Sequence, residues 1–197
     1  MSRTADDLHA GDSFEDEIFA GLDLAGADLG EKELVRCTFR NMKLSESRWR
    51  RARLEDCRFE SCDLGRFDPA EMMLREVGFT GCKLMGVDWT ELGQFPVMTF
   101  TDCNLRYGSF VGLVARKIPF VRCALAEATF LKADLAEARF EDCDLASARF
   151  EACDLRGADF AGSHDLVLDP AANRLQGAKI PLETAIALAA SFGLKVI

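Results

Sequence analysis

From Cys123 to Phe160 the chain reads CALAEATF-LKADLAEARF-EDCDLASARF-EACDLRGADF. A large apolar residue returns at every fifth position: Leu125, Phe130, Leu135, Phe140, Leu145, Phe150, Leu155 and Phe160. Two places before each stands Ala or Cys: Cys123, Ala128, Ala133, Ala138, Cys143, Ala148, Cys153 and Ala158. A period of five fits neither an amphipathic helix, at about 3.6 residues, nor a single strand, at about 2. It fits a coil with one large and one small side chain turned inward per repeat.

Working upstream, the same step reaches Phe14 through Phe19, Leu24, Leu29, Leu34, Phe39, Leu44, Trp49, Leu54, Phe59, Leu64, Pro69, Leu74, Phe79, Leu84 and Trp89. Pro69 breaks the apolar run and forbids a ladder hydrogen bond at its nitrogen. From Trp89 to Phe95 the step is six residues, and it then resumes through Phe95, Phe100, Leu105, Phe110, Ala115 and Phe120. One residue of 90–95 is expected to bulge before Phe95 restores the phase, and Ala115 to leave its slot partly empty. Each interruption is also a candidate recognition feature.

Steps of twenty give uniform columns. One holds Phe19, Phe39, Phe59, Phe79, Phe100, Phe120, Phe140 and Phe160; another holds Leu24, Leu44, Leu64, Leu84, Leu105, Leu125 and Leu145. Identity every twenty residues means four sides to a turn. Turns stacked at strand spacing, about 4.7–4.9 Å, would make a rod roughly 35 Å long.

The triplets Ala27-Asp28-Leu29, Cys62-Asp63-Leu64, Ala133-Asp134-Leu135, Cys143-Asp144-Leu145 and Cys153-Asp154-Leu155 resemble the consensus of the pentapeptide-repeat family. That resemblance implies an all-β solenoid, a right-handed quadrilateral β-helix, with a C-terminal capping helix. The expected division is an N-terminal cap over residues 1–11, the coil over 12–162, and a last coil with helix and dimerisation segment over 163–197. Leu175 and Ile180 fall back on the register after the excursion at 162–172. Pro181 suits the first turn of a helix running to Phe192, Gly193 suits its end, and 194–197 are expected to add a short final strand. This helix is apolar on more than one side. One face can close the coil while Leu182, Ile186, Ala189, Phe192 and Leu194 meet a second copy, giving a homodimer.

All eight cysteines fall on the small inward position, and none forms a C-x-x-C pair or a Cys/His ligand set. They read as packing thiols. With only two histidines, neither near a nucleophile motif, and no phosphate-binding glycine loop, nothing points to an enzyme, a metal or a cofactor. Repeated Asp before the large residue suits a corner at which its carboxylate accepts from nearby amides. The acidic opening has no apolar run like a signal peptide, and no stretch of roughly 18 apolar residues could span a bilayer. A cytoplasmic protein away from the membrane is expected.

The net charge of −9 argues against direct nucleic-acid binding. It is also uneven. Residues 1–35 carry ten acids and two bases, residues 36–58 carry eight bases and three acids, and residues 127–165 carry ten acids and four bases. The mid-chain run 82–90 (CKLMGVDWT) and the tail, with Asp169-Pro170, Asn173-Arg174-Leu175 and Gly177-Ala178-Lys179, resemble the gyrase-protecting branch of the family: the Qnr, MfpA and AlbG types. The long loops of typical Qnr members are absent, and the Arg-rich second coil departs from an acidic surface. The resemblance implies a dimeric DNA mimic that binds DNA gyrase or topoisomerase IV and protects it from poisons such as fluoroquinolones or albicidin. The carboxylates expected to present the mimicry are Asp134, Glu137, Glu141, Asp142, Asp144, Glu151, Asp154 and Asp159. The alternative is a non-catalytic interaction scaffold unrelated to topoisomerase.

Overall fold

The structure is a computed structural model that describes residues 4–196; Met1–Arg3 of the expected N-terminal cap and Ile197 of the expected final strand lie outside them. The chain winds as a right-handed quadrilateral β-helix of parallel strands, followed by one C-terminal helix. On the phenylalanine side seven short strands pair in register, from Ile18–Ala20 to Arg139–Glu141, with Phe19 opposite Phe39 and Phe100 opposite Phe120. The side that begins with Ser13–Glu15 carries four strands, and Thr129–Leu131 pairs with Arg149–Glu151 on a third. Elsewhere single parallel bridges twenty residues apart continue the ladder, such as Asp134 to Asp154.

Each corner falls two residues after a large inward one, and the corner residue is left-handed: Glu31 at φ 59°, Glu137 at 61°, Asp142 at 53°. That conformation costs an ordinary L-residue strain. Here the corner amide is compensated by the next coil, as when Glu137 N donates to Arg156 O at 2.8 Å. At the position before the large residue, Asp side chains accept from the amide two residues on: Asp63 from Gly65, Asp134 from Ala136, Asp144 from Ala146.

The core is a stack of rings. Phe19, Phe39, Phe59, Phe79, Phe100, Phe120, Phe140 and Phe160 are all buried, with successive centroids 4.6–5.3 Å apart. Leu24, Leu44, Leu64, Leu84, Leu105, Leu125 and Leu145 are buried beside them. Two interruptions are repaired in the same way. Where Pro69 takes the large position, Phe67 is buried two residues earlier, edge-on to Trp89 at 5.6 Å. Where Ala115 takes it, Leu113 is buried two residues earlier, so bulk lost from one inward position returns at the other.

The third interruption corrects the sequence reading. Phe95 does not restore the inward phase; it is 74% exposed, with φ 53°. Gly93 N donates to Met72 O and Val97 N to Leu74 O, so residues 94–96 arch off the wall and carry Phe95 outward. A Cβ on Gly93 would lie 2.5 Å from the Met72 carbonyl oxygen, which is why a glycine stands at this contact. The inward register returns at Met98 and Phe100.

Both ends are covered. Helix α1 (Ala5–Ala10) starts on a capping box between Thr4 and Asp7, and its Leu8 is buried against the first coil. Lys32 stands where Ala or Cys otherwise does; its buried ammonium donates to Gly11 O at 2.7 Å and His9 O at 3.4 Å, closing the end of that helix. At the far end Ser163 Oγ donates to Phe140 O and accepts from Cys143 N, while Asn173 does the same for Phe150 O and Cys153 N. On the last coil these side chains take the place that Cys Sγ holds in the coils below, donating to the carbonyl of the large inward residue one coil down. Helix α2 (Leu182–Ser191) follows, with Pro181 at its N-cap rather than inside its first turn, and Gly193 at φ 75° beyond its end. Leu194–Val196 are exposed and form no strand, so the expected strand is absent from the described part of the tail.

Candidate protein-recognition surfaces

Stacking coils twenty residues apart sets side chains of equivalent position directly over one another, so charge on one coil is read by the next. This organises the Arg-rich second coil. Arg36 pairs with Glu15 and Asp16, Lys43 with Asp23, Arg48 with Asp28, Arg51 with Glu31 and Arg53 with Glu33, all one coil down. Upward, Arg40 meets Glu60 and Arg50 meets Asp68. The basic coil therefore lies between two acidic partners, an arrangement that charge counts by segment concealed.

The C-terminal acids divide by the same rule. Asp134 and Glu137 are paired with Arg116, and Glu137 also with Lys117. Glu141 and Glu151 face Arg139 and Arg149 of their own strands at 3.9 and 3.7 Å. Asp154 is held by Arg156 and Arg174, and the hydrogen bond from Arg156 draws its carboxyl down to about 2. Asp159 meets Lys179, which lowers its pKa below the usual carboxylate range. Among the described residues Asp142 and Asp144 have no Lys or Arg within ion-pair distance. They lie two residues apart, and the Asp142 carboxylate overhangs Gly162 on the next coil. Asp144 lies under His164, whose Nδ1 is 2.8 Å from Asp165 Oδ2.

A second surface is apolar. On α2, Leu182 and Ile186 project from one stripe and are 75% and 42% exposed, with Phe192 (70%) and Leu194 exposed beyond it and Ala189 half-buried. Only Thr184 of this helix is fully buried; its Oγ1 donates to Leu166 O at 3.2 Å. The third surface is the arch at 94–96, where Phe95 lines an open depression together with Leu113 and Val114. The sequence signal for it was the six-residue step, which marked the place but not the direction of the side chain.

The cysteines do more than fill space. Each of the eight has its Sγ within 3.2–3.6 Å of the carbonyl of a large inward residue on the coil below: Cys37 of Phe14, Cys57 of Leu34, Cys62 of Phe39, Cys82 of Phe59, Cys103 of Phe79, Cys123 of Phe100, Cys143 of Phe120, Cys153 of Phe130. At other corners that carbonyl accepts instead from the amide three residues on, as Ala128 N donates to Leu125 O and Ala138 N to Leu135 O. The cysteines thus stand only at corners of the first kind, which Ala133 shares: Phe130 O accepts from Cys153 Sγ and not from Ala133 N. Burial pushes the Cys153 thiol above its ordinary range, and all eight are free and buried.

A four-sided coil with Leu or Phe stacked inside and Asp bracing the corners defines a class of protein. The chain belongs to the pentapeptide repeat family: the model of the pentapeptide repeat region matches residues 12–89 and 52–130, and that of eight-copy pentapeptide repeats matches residues 120–163. Within it the chain is similar to the quinolone resistance pentapeptide repeat protein QnrB96 of Scandinavium goeteborgense, at 27% identity over 113 residues, 52% of this chain and 53% of that one. The match thus spans about half of the curated relative. Two structures of trypsin-treated variants of QnrB1, a plasmid-mediated fluoroquinolone resistance protein, superpose with TM-scores of 0.61 and 0.62 at 26% and 27% identity. Those alignments cover 94% of this chain and 91% and 89% of the other. No helix among the described residues is long and apolar enough to cross a membrane.

Proposed function

We propose that the protein is a non-catalytic, homodimeric rod of the cytoplasm that binds DNA gyrase or topoisomerase IV and protects it from poisons such as fluoroquinolones or albicidin. The observation that carries this reading is the likeness to QnrB1 over 94% of the chain, which takes in the C-terminal module as well as the repeats. Carboxylates on the C-terminal coils would lie where DNA phosphates lie on the enzyme. Asp142 and Asp144 carry charge that no Lys or Arg among the described residues pairs with, and the paired acids are available too. An exposed ion pair is worth only about 0–1 kcal/mol, so a partner's cations can displace Arg139 or Arg149 at little cost. Binding by this route weakens with salt.

The exposed stripe of Leu182 and Ile186, with Phe192 and Leu194 beyond it, supports dimerisation through α2. Two rods joined there would bring their acidic coils together along one continuous surface. The second reading, a scaffold for some other partner, draws support from the interlocked charges of the first coils, which serve stacking rather than display. Gyrase supercoiling, measured with and without a fluoroquinolone or albicidin, separates the two: the scaffold leaves both activity and poisoning unchanged.

A further inference from the structure

The geometry points to His164 as a pH-responsive latch that holds helix α2 on the last coil. The attachment of α2 is thin. Among the described residues a single side-chain hydrogen bond, Thr184 Oγ1 to Leu166 O, ties the helix to the coil, and Ala185, Leu188 and Ala189 are only half-buried. Elements held so lightly open locally at small free-energy cost, so a modest electrostatic change shifts their docking.

The charges at this attachment are lopsided. His164 lies over Asp144 in the ladder and beside Asp165, and these three bring ligand-type atoms within 4.8 Å of one another. Glu183, in the first turn of α2, lines the same open depression as His164, Asp165 and Val167. Neither Asp144 nor Glu183 has a Lys or Arg partner among the described residues, and Asp165 has only His164. With a neutral imidazole, Asp144 and Asp165 of the coil and Glu183 of α2 are left without a cation between them. With an imidazolium, coil and helix share a cation.

The hydrogen bond to Asp165 raises the His164 pKa, and the fields of Asp144, Asp165 and Glu183 add to it. Asp144 and Asp165 lie on the coil and act on His164 whether or not α2 is docked, so it is the field of Glu183 that links its protonation to docking. The latch is then engaged while His164 is protonated and is lost as pH rises through its docked-state pKa. The apolar stripe of α2 is therefore held in its observed orientation best under mildly acidic conditions.

Hydrogen exchange of the full chain tests this without reference to any partner. Protection of the α2 amides, corrected for intrinsic rate and referenced to the Phe120 coil, is measured near pH 5.5 and near pH 7.5. Wild type is expected to show about two- to fivefold greater α2 protection at the lower pH, the range of an exposed ion pair. His164→Gln keeps a hydrogen-bonding side chain without the charge and should abolish the difference; Glu183→Gln should shrink it by raising protection at the higher pH. Equal protection at both pH values in wild type, or an undiminished difference in His164→Gln, overturns the proposal.

Discussion

The indole Nε1–H of Trp49 donates to Ser47 Oγ at 2.9 Å, and that hydroxyl in turn donates to Leu44 O at 2.6 Å. Two coils up the same side, Trp89 is equally buried, but the residue two before it is Val87 and its Nε1 has no partner. An unpaired buried donor costs about 1–3 kcal/mol. Ser47→Ala should therefore destabilise the coil by about that amount. Val87→Thr, which offers Trp89 a hydroxyl at nearly constant volume, should be neutral or stabilising despite burying a polar group. Denaturant unfolding of the two variants checks both signs; a destabilising Val87→Thr would show that the hydroxyl cannot reach the indole.

Phe120 stacks between Phe100 and Phe140, with centroid distances of 5.3 and 5.0 Å. Truncating it removes two stacked contacts and the edge contacts to Phe110 and Phe130, and leaves a cavity in a narrow core. Phe120→Ala should cost about 3–5 kcal/mol in urea unfolding. A change below about 0.5 kcal/mol would mean that neighbouring coils close the gap.

The thiol ladder gives the cysteines a chemical role that alanine does not share. Cys123→Ser keeps a donor to Phe100 O, as Ser163 does for Phe140 O at 2.6 Å. Cys123→Ala leaves that carbonyl without a side-chain donor, so it should be the less stable of the two by about 1 kcal/mol. All eight native thiols should resist alkylation until the protein is unfolded. Fast native labelling of Cys103 or Cys123 would contradict their burial.

Phe100 over Phe120, four sides to a turn and the corner role of Asp were legible in the sequence because a five-residue period leaves each inward position with a fixed chemistry. Other features needed coordinates. Phe95 sits on the period yet points outward, since periodicity records spacing and not the sign of φ at the arch. Lys32 reads as a breach of the inward pattern until α1 supplies carbonyls for it. The ion pairs of Arg36, Arg51 and Arg53 join residues about twenty apart, so counting charge along the chain misses that they cancel between coils. For the same reason Asp142 and Asp144 could not be told from Asp154 and Asp159 by sequence.

If α2 joins two rods, charge on its exposed stripe should separate them without unfolding either. Ile186→Asp and Leu182→Asp should convert a dimer to a monomer in light scattering, with circular dichroism unchanged. Wild type that is monomeric at micromolar concentration would remove the dimer from the account.

The most direct test of the functional reading is gyrase supercoiling with purified enzyme, across a titration of wild type and of the quadruple variant Glu137→Gln, Glu141→Gln, Asp142→Asn and Glu151→Gln. These four lie outside the buried positions, so the coil should stay folded. The account predicts that wild type changes gyrase activity and relieves poisoning by a fluoroquinolone or albicidin, that raised salt weakens both effects, and that the quadruple variant loses them. A quadruple variant as active as wild type would contradict recognition through carboxylates, and a wild type with no effect on gyrase would contradict the account as a whole.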